Sequence, residues 1–128
     1  MSEIVYLSLG SNLGDRAGNL RAAIARLREA GTVKAVSSFY ETEPVELLDQ
    51  PWFLNCVVAL ETDKSPRQLM LFILETEKAM LRQRLRSKGP RTIDLDILLF
   101  GERVVDVPGL KIPHSAMQQR RFVLEPLA

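Results

Sequence analysis

Cysteine is nearly absent from this sequence: Cys56 stands alone, so no internal disulfide framework can staple the chain, and a reducing compartment fits best. Excess charge is missing too. Seventeen Lys+Arg oppose 16 Asp+Glu, which gives no bulk attraction for nucleic acid or an anionic membrane. No apolar run approaches the roughly 20 residues that span a bilayer, and MSEIVYLSLG lacks the basic-then-apolar order of a signal segment. Repeats, low-complexity tracts and linkers are also lacking. These absences predict one cytoplasmic domain over residues 1–128, without nucleic-acid or membrane partners. What is present, an apolar fraction of 46%, suffices for one real core.

The punctuation of the chain predicts its elements. EIVYLSL (3–9) reads as a strand ended by GSNLGD, whose glycines read as turn formers. Asp15 can cap a helix that carries Leu20, Ala23, Ile24 and Leu27 at helical spacing and stops at Gly31. Residues 32–42 are β-branched and aromatic enough for a second strand, and 52–62 read as a third. Ser65, Pro66 and Gln68 form a helix-start signal for a helix running into the low 80s. After Gly89-Pro90, TIDLDILLFG reads as a fourth strand, followed by a short hairpin around GERVVD and a tail with a helical turn from residue 113. The order β-α-β-β-α-β predicts an α+β, ferredoxin-like arrangement. Its four-stranded antiparallel sheet has helices on one face, a short C-terminal hairpin, and a second face left for a ligand.

The stretch GPRTIDLDILLF (89–100) places two carboxylates in the most apolar run of the chain. Strand alternation sends Ile93, Leu95 and Ile97 to one face and Asp94 and Asp96 to the other. Two like charges roughly 7 Å apart along a strand repel, and a divalent cation relieves that. Mg²⁺ suits the pair, because it is held by one or two carboxylates together with substrate phosphates. A solvated acidic strand is the plainer alternative. Arg82, Arg84, Arg86, Lys88 and Arg91 crowd beside it, and guanidiniums fork onto phosphate oxygens. A helix C-terminus favours cations as well, which accounts for two or three of them.

Glu77 lies on the helix stripe of Ile73, Leu74, Met80 and Leu81 and wants a donor; Arg84, two turns on, shares that face. The single histidine, His114, lies in IPHSAM near Arg120-Arg121 and could donate to a phosphoryl oxygen. A phosphate loop of the Walker type is missing, since GSNLGD has no lysine. Cys56, within a strand, makes a poor nucleophile.

Taken together, LGSNLGD (9–15), SSFYETEP (37–44), DQPWFLNCVVALET (49–62), RQR (82–84), GPRTIDLDILLFG (89–101) and IPH (112–114) resemble the 6-hydroxymethyl-7,8-dihydropterin pyrophosphokinase family of folate biosynthesis, along essentially the whole chain. The resemblance implies Mg²⁺-dependent transfer of pyrophosphate from ATP to the hydroxymethyl oxygen of 6-hydroxymethyl-7,8-dihydropterin, releasing AMP. It implies two Mg²⁺ ions held by Asp94 and Asp96, and Arg82 and Arg91 as cations on the transferring group. Glu77, Arg84, Ile97, His114 and Arg120 fall at ATP-binding positions. The pterin ring would stack between Phe53 and Phe122, its edge read by Asn55, Thr42, Glu43 and Val45. Departures from the family pattern include Leu81 for a glycine and Lys88 for a tryptophan. They motivate one alternative, a relative that binds pterin or nucleotide without efficient transfer.

Overall fold

The computed structural model describes residues 2–43, 52–82, 93–102, 105–107 and 110–112 of the protein. The first strand, β1 (Glu3–Ser11), buries Val5, Leu7 and Leu9 completely and turns Ile4, Tyr6 and Ser8 to its other side. The chain then turns at Gly14, whose φ of 68° is a left-handed conformation that glycine adopts without a steric penalty. Asp15 Oδ1 accepts from the Gly18 N–H at 3.0 Å and caps α1 (Arg16–Leu27). Leu20, Ala23, Ile24 and Leu27 are the buried residues of this helix, as their spacing requires.

The β-branched stretch after α1 forms two strands where the sequence predicts one. β2 (Thr32–Val36) and β3 (Tyr40–Thr42) both run antiparallel to β4 (Phe53–Thr62). The interruption has a chemical cause. The Val57 N–H donates to Ser37 Oγ at 2.8 Å, while the Ser37 N–H donates to the Val57 carbonyl at 2.8 Å. A side-chain hydroxyl thus takes the place of a main-chain acceptor in the ladder, and regular pairing stops after Val36.

The second helix, α2 (Pro66–Arg82), opens with a reciprocal capping box. Gln68 N donates to Ser65 Oγ at 3.2 Å, and Ser65 N donates to Gln68 Oε1 at 2.8 Å. Its buried stripe is Pro66, Leu69, Ile73, Thr76 and Met80. Leu74 does not belong to it, being 51% exposed, because it sits one residue and about 100° past Ile73.

The strand order is β2-β4-β1-β5, with β5 (Asp94–Phe100) at one edge and β3 beside β4 near the other. The result is a five-stranded antiparallel sheet with two helices, an α+β architecture. Leu20, Ile24 and Leu27 of α1 and Leu69, Ile73 and Met80 of α2 join Val5, Leu7, Leu9, Cys56, Val58, Leu60, Leu95 and Ile97 in one core cluster. Each such aliphatic side chain contributes roughly 1.5–3 kcal/mol by leaving water. The helices meet each other where Arg26 Nε donates to Thr76 Oγ1 at 3.4 Å. Both therefore cover one face of the sheet. Two short strands, β6 (Val105–Val107) and β7 (Leu110–Ile112), pair antiparallel as a separate two-stranded sheet that begins at the end of GERVVD, and Ile112 enters the core. The tail from residue 113 lies outside the described residues. No helix among the described residues is long and apolar enough to cross a membrane.

Candidate active site

On the face turned away from the helices, strand register builds a row of residues. Asp94 pairs with Gly10, Gly10 with Asn55, and Asn55 with Tyr40; beside them, Asp96 pairs with Ser8. Directly opposed residues of antiparallel strands share a face. Alternation in β5 works as the sequence requires: Ile93, Leu95 and Ile97 are 2–5% exposed, while Asp94 and Asp96 are half-buried on the other side. It is then interrupted. Tyr6 pairs with Leu99 but Leu7 with Ile97, so Leu98 is an extra, bulged residue. The bulge lets Phe100 return to the core opposite Val5, where both are fully buried.

Gly10 corrects one sequence expectation. It is not a turn former like Gly14 but a ladder-paired residue near the end of β1, lying between the carboxylate strand and Asn55. A Cβ there would come within 2.8 Å of Asn55 Oδ1 and 3.5 Å of Phe53 Cδ1. Glycine leaves the floor between Asp94 and Asn55 bare. Only the register discloses this role, and Ser8 beneath Asp96 escaped the sequence for the same reason.

Asn55 is 6% exposed, so its amide needs partners. Its Nδ2 donates to Thr42 Oγ1 at 2.7 Å and reaches the Tyr40 carbonyl at 3.5 Å. With the amino group committed to β3, the carbonyl Oδ1 is turned toward Gly10. Phe53 lies two residues earlier on the same strand face, partly exposed, and pairs across the ladder with Thr42. Phe53, Asn55 and Thr42 thus come together as one phenyl, amide and hydroxyl patch. Glu43 is exposed just beyond Thr42.

Glu77 accepts a hydrogen bond from the main chain of β5, while the expected donor, Arg84, lies outside the described residues. The Leu95 N–H donates to Glu77 Oε2 at 3.0 Å. Because β5 is an edge strand, that N–H points away from β1, and the α2 carboxylate occupies it. The residue so held lies between Asp94 and Asp96. The Ile97 side chain is in the core at 4% exposure, which leaves only its main chain, facing outward like that of Leu95, to meet a ligand. Arg82 closes α2, and only its main chain is described. Arg91, Arg84, His114, Arg120, Phe122 and Val45 lie outside the described residues.

Cys56 is fully buried in the core, and burial pushes its thiol up to about 12, so no thiolate nucleophile forms near neutral pH. Burial, and secondarily the neighbouring Cys56, likewise pushes the Tyr40 phenol up to about 12.

Fold and site together define an α+β protein that sets a carboxylate pair beside an amide-and-phenyl patch on the sheet face turned away from α1 and α2. Residues 6–128 match the family model described as 7,8-dihydro-6-hydroxymethylpterin-pyrophosphokinase. The chain is similar to two bacterial proteins named 2-amino-4-hydroxy-6-hydroxymethyldihydropteridine pyrophosphokinase. With that of Bacillus subtilis it is 46% identical over 130 residues, covering all of this chain and 78% of the relative. With that of Pseudomonas aeruginosa it is 47% identical over 131 residues, covering all of this chain and 80% of the relative. In structure it resembles Plasmodium falciparum HPPK-DHPS solved with pterin and p-hydroxybenzoate, at a TM-score of 0.69 and 18% identity. That match covers 97% of this chain and 38% of the other, and it speaks to the fold. The chain belongs to the 7,8-dihydro-6-hydroxymethylpterin-pyrophosphokinase family. It is an enzyme, a transferase of the pyrophosphokinase class.

Proposed function

We propose that the protein transfers pyrophosphate from ATP to 6-hydroxymethyl-7,8-dihydropterin in folate biosynthesis. The hydroxymethyl oxygen bonds to the β-phosphorus of ATP and releases its proton to water, the bond from that phosphorus to the oxygen bridging the α-phosphate breaks, and AMP leaves. One observation carries the reading: Asp94, Gly10 and Asn55 are consecutive cross-strand neighbours on one sheet face. A carboxylate pair for the phosphate end therefore adjoins an amide and a phenyl ring for the pterin end.

The donor set fits Mg²⁺. Asp94 and Asp96 are hard oxygen ligands on one face, and their ladder partners on β1 are the small residues Gly10 and Ser8. Among the described residues no cluster of three or more His, Cys, Asp or Glu gathers, so phosphate and water oxygens would complete the coordination. Two Mg²⁺ ions, once bound, would neutralise phosphate charge and align the transferring group. Glu77 steadies the strand between the two carboxylates through Leu95. Arg82 and Arg91 are assigned to the developing charge on the transferring group, as guanidiniums suit phosphoryl oxygens. Arg84, His114, Arg120, Glu77 and the main chain of Ile97 are assigned to ATP. Phe53 and Phe122 are assigned to the two ring faces, with Asn55 Oδ1 accepting from the ring edge beside Thr42, Glu43 and Val45.

The same reading takes residues 1–128 as one ferredoxin-like domain with a C-terminal hairpin, acting in the cytoplasm on these two small molecules. The element order and the shared core support it. Purified protein given ATP, Mg²⁺ and the dihydropterin releases AMP. Release of ADP would refute pyrophosphoryl transfer, and pterin binding with no AMP would favour a relative that binds without transfer.

A further inference from the structure

A cation at the first residue of a helix has the wrong sign for the helix dipole, yet α1 begins with Arg16 and carries no acid in its first turn. Two bonds explain the placement. Arg16 Nη2 donates to Glu41 Oε1 at 2.8 Å, and Arg16 Nη1 donates to the Trp52 carbonyl at 2.9 Å. Glu41 immediately precedes Thr42, and Trp52 immediately precedes Phe53. Thr42 and Phe53 are themselves ladder partners, and Thr42 Oγ1 accepts from Asn55 Nδ2. One rigid guanidinium thus grips both strands of the β3–β4 ladder one residue before the hydroxyl and the phenyl ring assigned to the pterin.

We propose that Arg16 is a positioning residue for the pterin pocket, clasping β3 and β4 so that Thr42, Asn55 and Phe53 keep the spacing a flat ring needs. The inference rests on the proposed substrate and adds a residue that touches none of it. The ion pair contributes little to global stability, since Arg16 and Glu41 are 31% and 51% exposed and water screens them. Its effect is local. A ring sandwiched in a defined slot is sensitive to shifts of a fraction of an ångström in the walls.

The test is titration of wild type, Arg16→Ala, Arg16→Lys and Glu41→Gln with 6-hydroxymethylpterin and, separately, with ATP and Mg²⁺. Arg16→Ala weakens pterin binding about tenfold, with ATP affinity and the unfolding midpoint near wild type. Arg16→Lys, which keeps the charge but lacks the two-pronged fork, falls between. Glu41→Gln, which keeps an acceptor oxygen but loses the charge, weakens pterin binding less than Arg16→Ala does, and a larger loss than that of Arg16→Ala overturns the inference. If Arg16→Ala fails to fold, the lysine variant decides by the same comparison. Unchanged pterin affinity in the arginine variants overturns the inference alone, as does parallel loss of pterin affinity, ATP affinity and stability. A wild-type protein that binds no pterin overturns the functional reading, and the clasp's purpose with it.

Discussion

Gly10 lies directly across from Asn55, and a methyl group on Gly10 would come within 2.8 Å of Asn55 Oδ1. To relieve that contact, Asn55 must turn, and turning breaks its 2.7 Å bond to Thr42. Gly10→Ala therefore weakens 6-hydroxymethylpterin binding by about tenfold or more while ATP affinity changes less. Equilibrium fluorescence titration of both ligands checks this; equal losses for the two would place the ring elsewhere.

Asp96→Ala removes one carboxylate from a half-buried strand position without opening the core. Turnover falls by about 10² or more, as for other groups that stabilise transferring charge. Far-UV circular dichroism and the unfolding midpoint stay close to wild type, and pterin binding survives. Near-normal rates in this variant would contradict the assignment of Asp94 and Asp96 to the metal.

Glu77→Ala leaves the Leu95 N–H without its acceptor beside the carboxylate pair. The cost is about 1–3 kcal/mol in urea unfolding, the range for an orphaned, partly buried donor. Glu77→Gln keeps an acceptor oxygen and recovers most of that loss. A glutamine variant as unstable as the alanine one would mean that negative charge, rather than the hydrogen bond, is what the position requires.

Alkali should unfold the protein through two buried groups. Cys56 rises from 9.0 to about 12 and Tyr40 from 10.0 to about 12 on folding. The folded state then holds protons that the unfolded chain releases, so the stability these groups contribute is complete below pH 9.0 and is lost as pH rises toward 12. For the fully buried Cys56 the slope approaches about 1.4 kcal/mol per pH unit in that window. Urea unfolding of wild type and Cys56→Ala at pH 8 and pH 10.5 reads it out. The variant loses less stability between the two conditions, and identical losses would exclude Cys56 as a source.

Both helices, their caps and the alternation around Asp94 and Asp96 were legible in the sequence, because each rests on contacts within a few residues along the chain. The Asp15 cap and the Ser65–Gln68 box are of this kind. The break between β2 and β3 was not legible, because Ser37 finds its partner at Val57, twenty positions away. Leu74 was misplaced because Ile73 already lies well inside the narrow buried stripe of α2, so the next position, about 100° on, falls outside it. At the site, residue types could be read but not adjacency. The roles of Gly10 and Ser8, and the Leu95 donor to Glu77, are consequences of pairing between distant strands.

The bulge at Leu98 gives β5 two parities. Upstream of it the odd-numbered residues are interior and the even-numbered ones carry charge; downstream the rule reverses, and Phe100 becomes interior. A one-residue deletion or insertion at the bulge changes only how much slack the strand holds. The same change at Leu95 exchanges interior and exterior for what precedes it, driving a carboxylate toward the core. The short interval from Asp94 to Asp96 is thus intolerant of length change, while the segment just after it can absorb one.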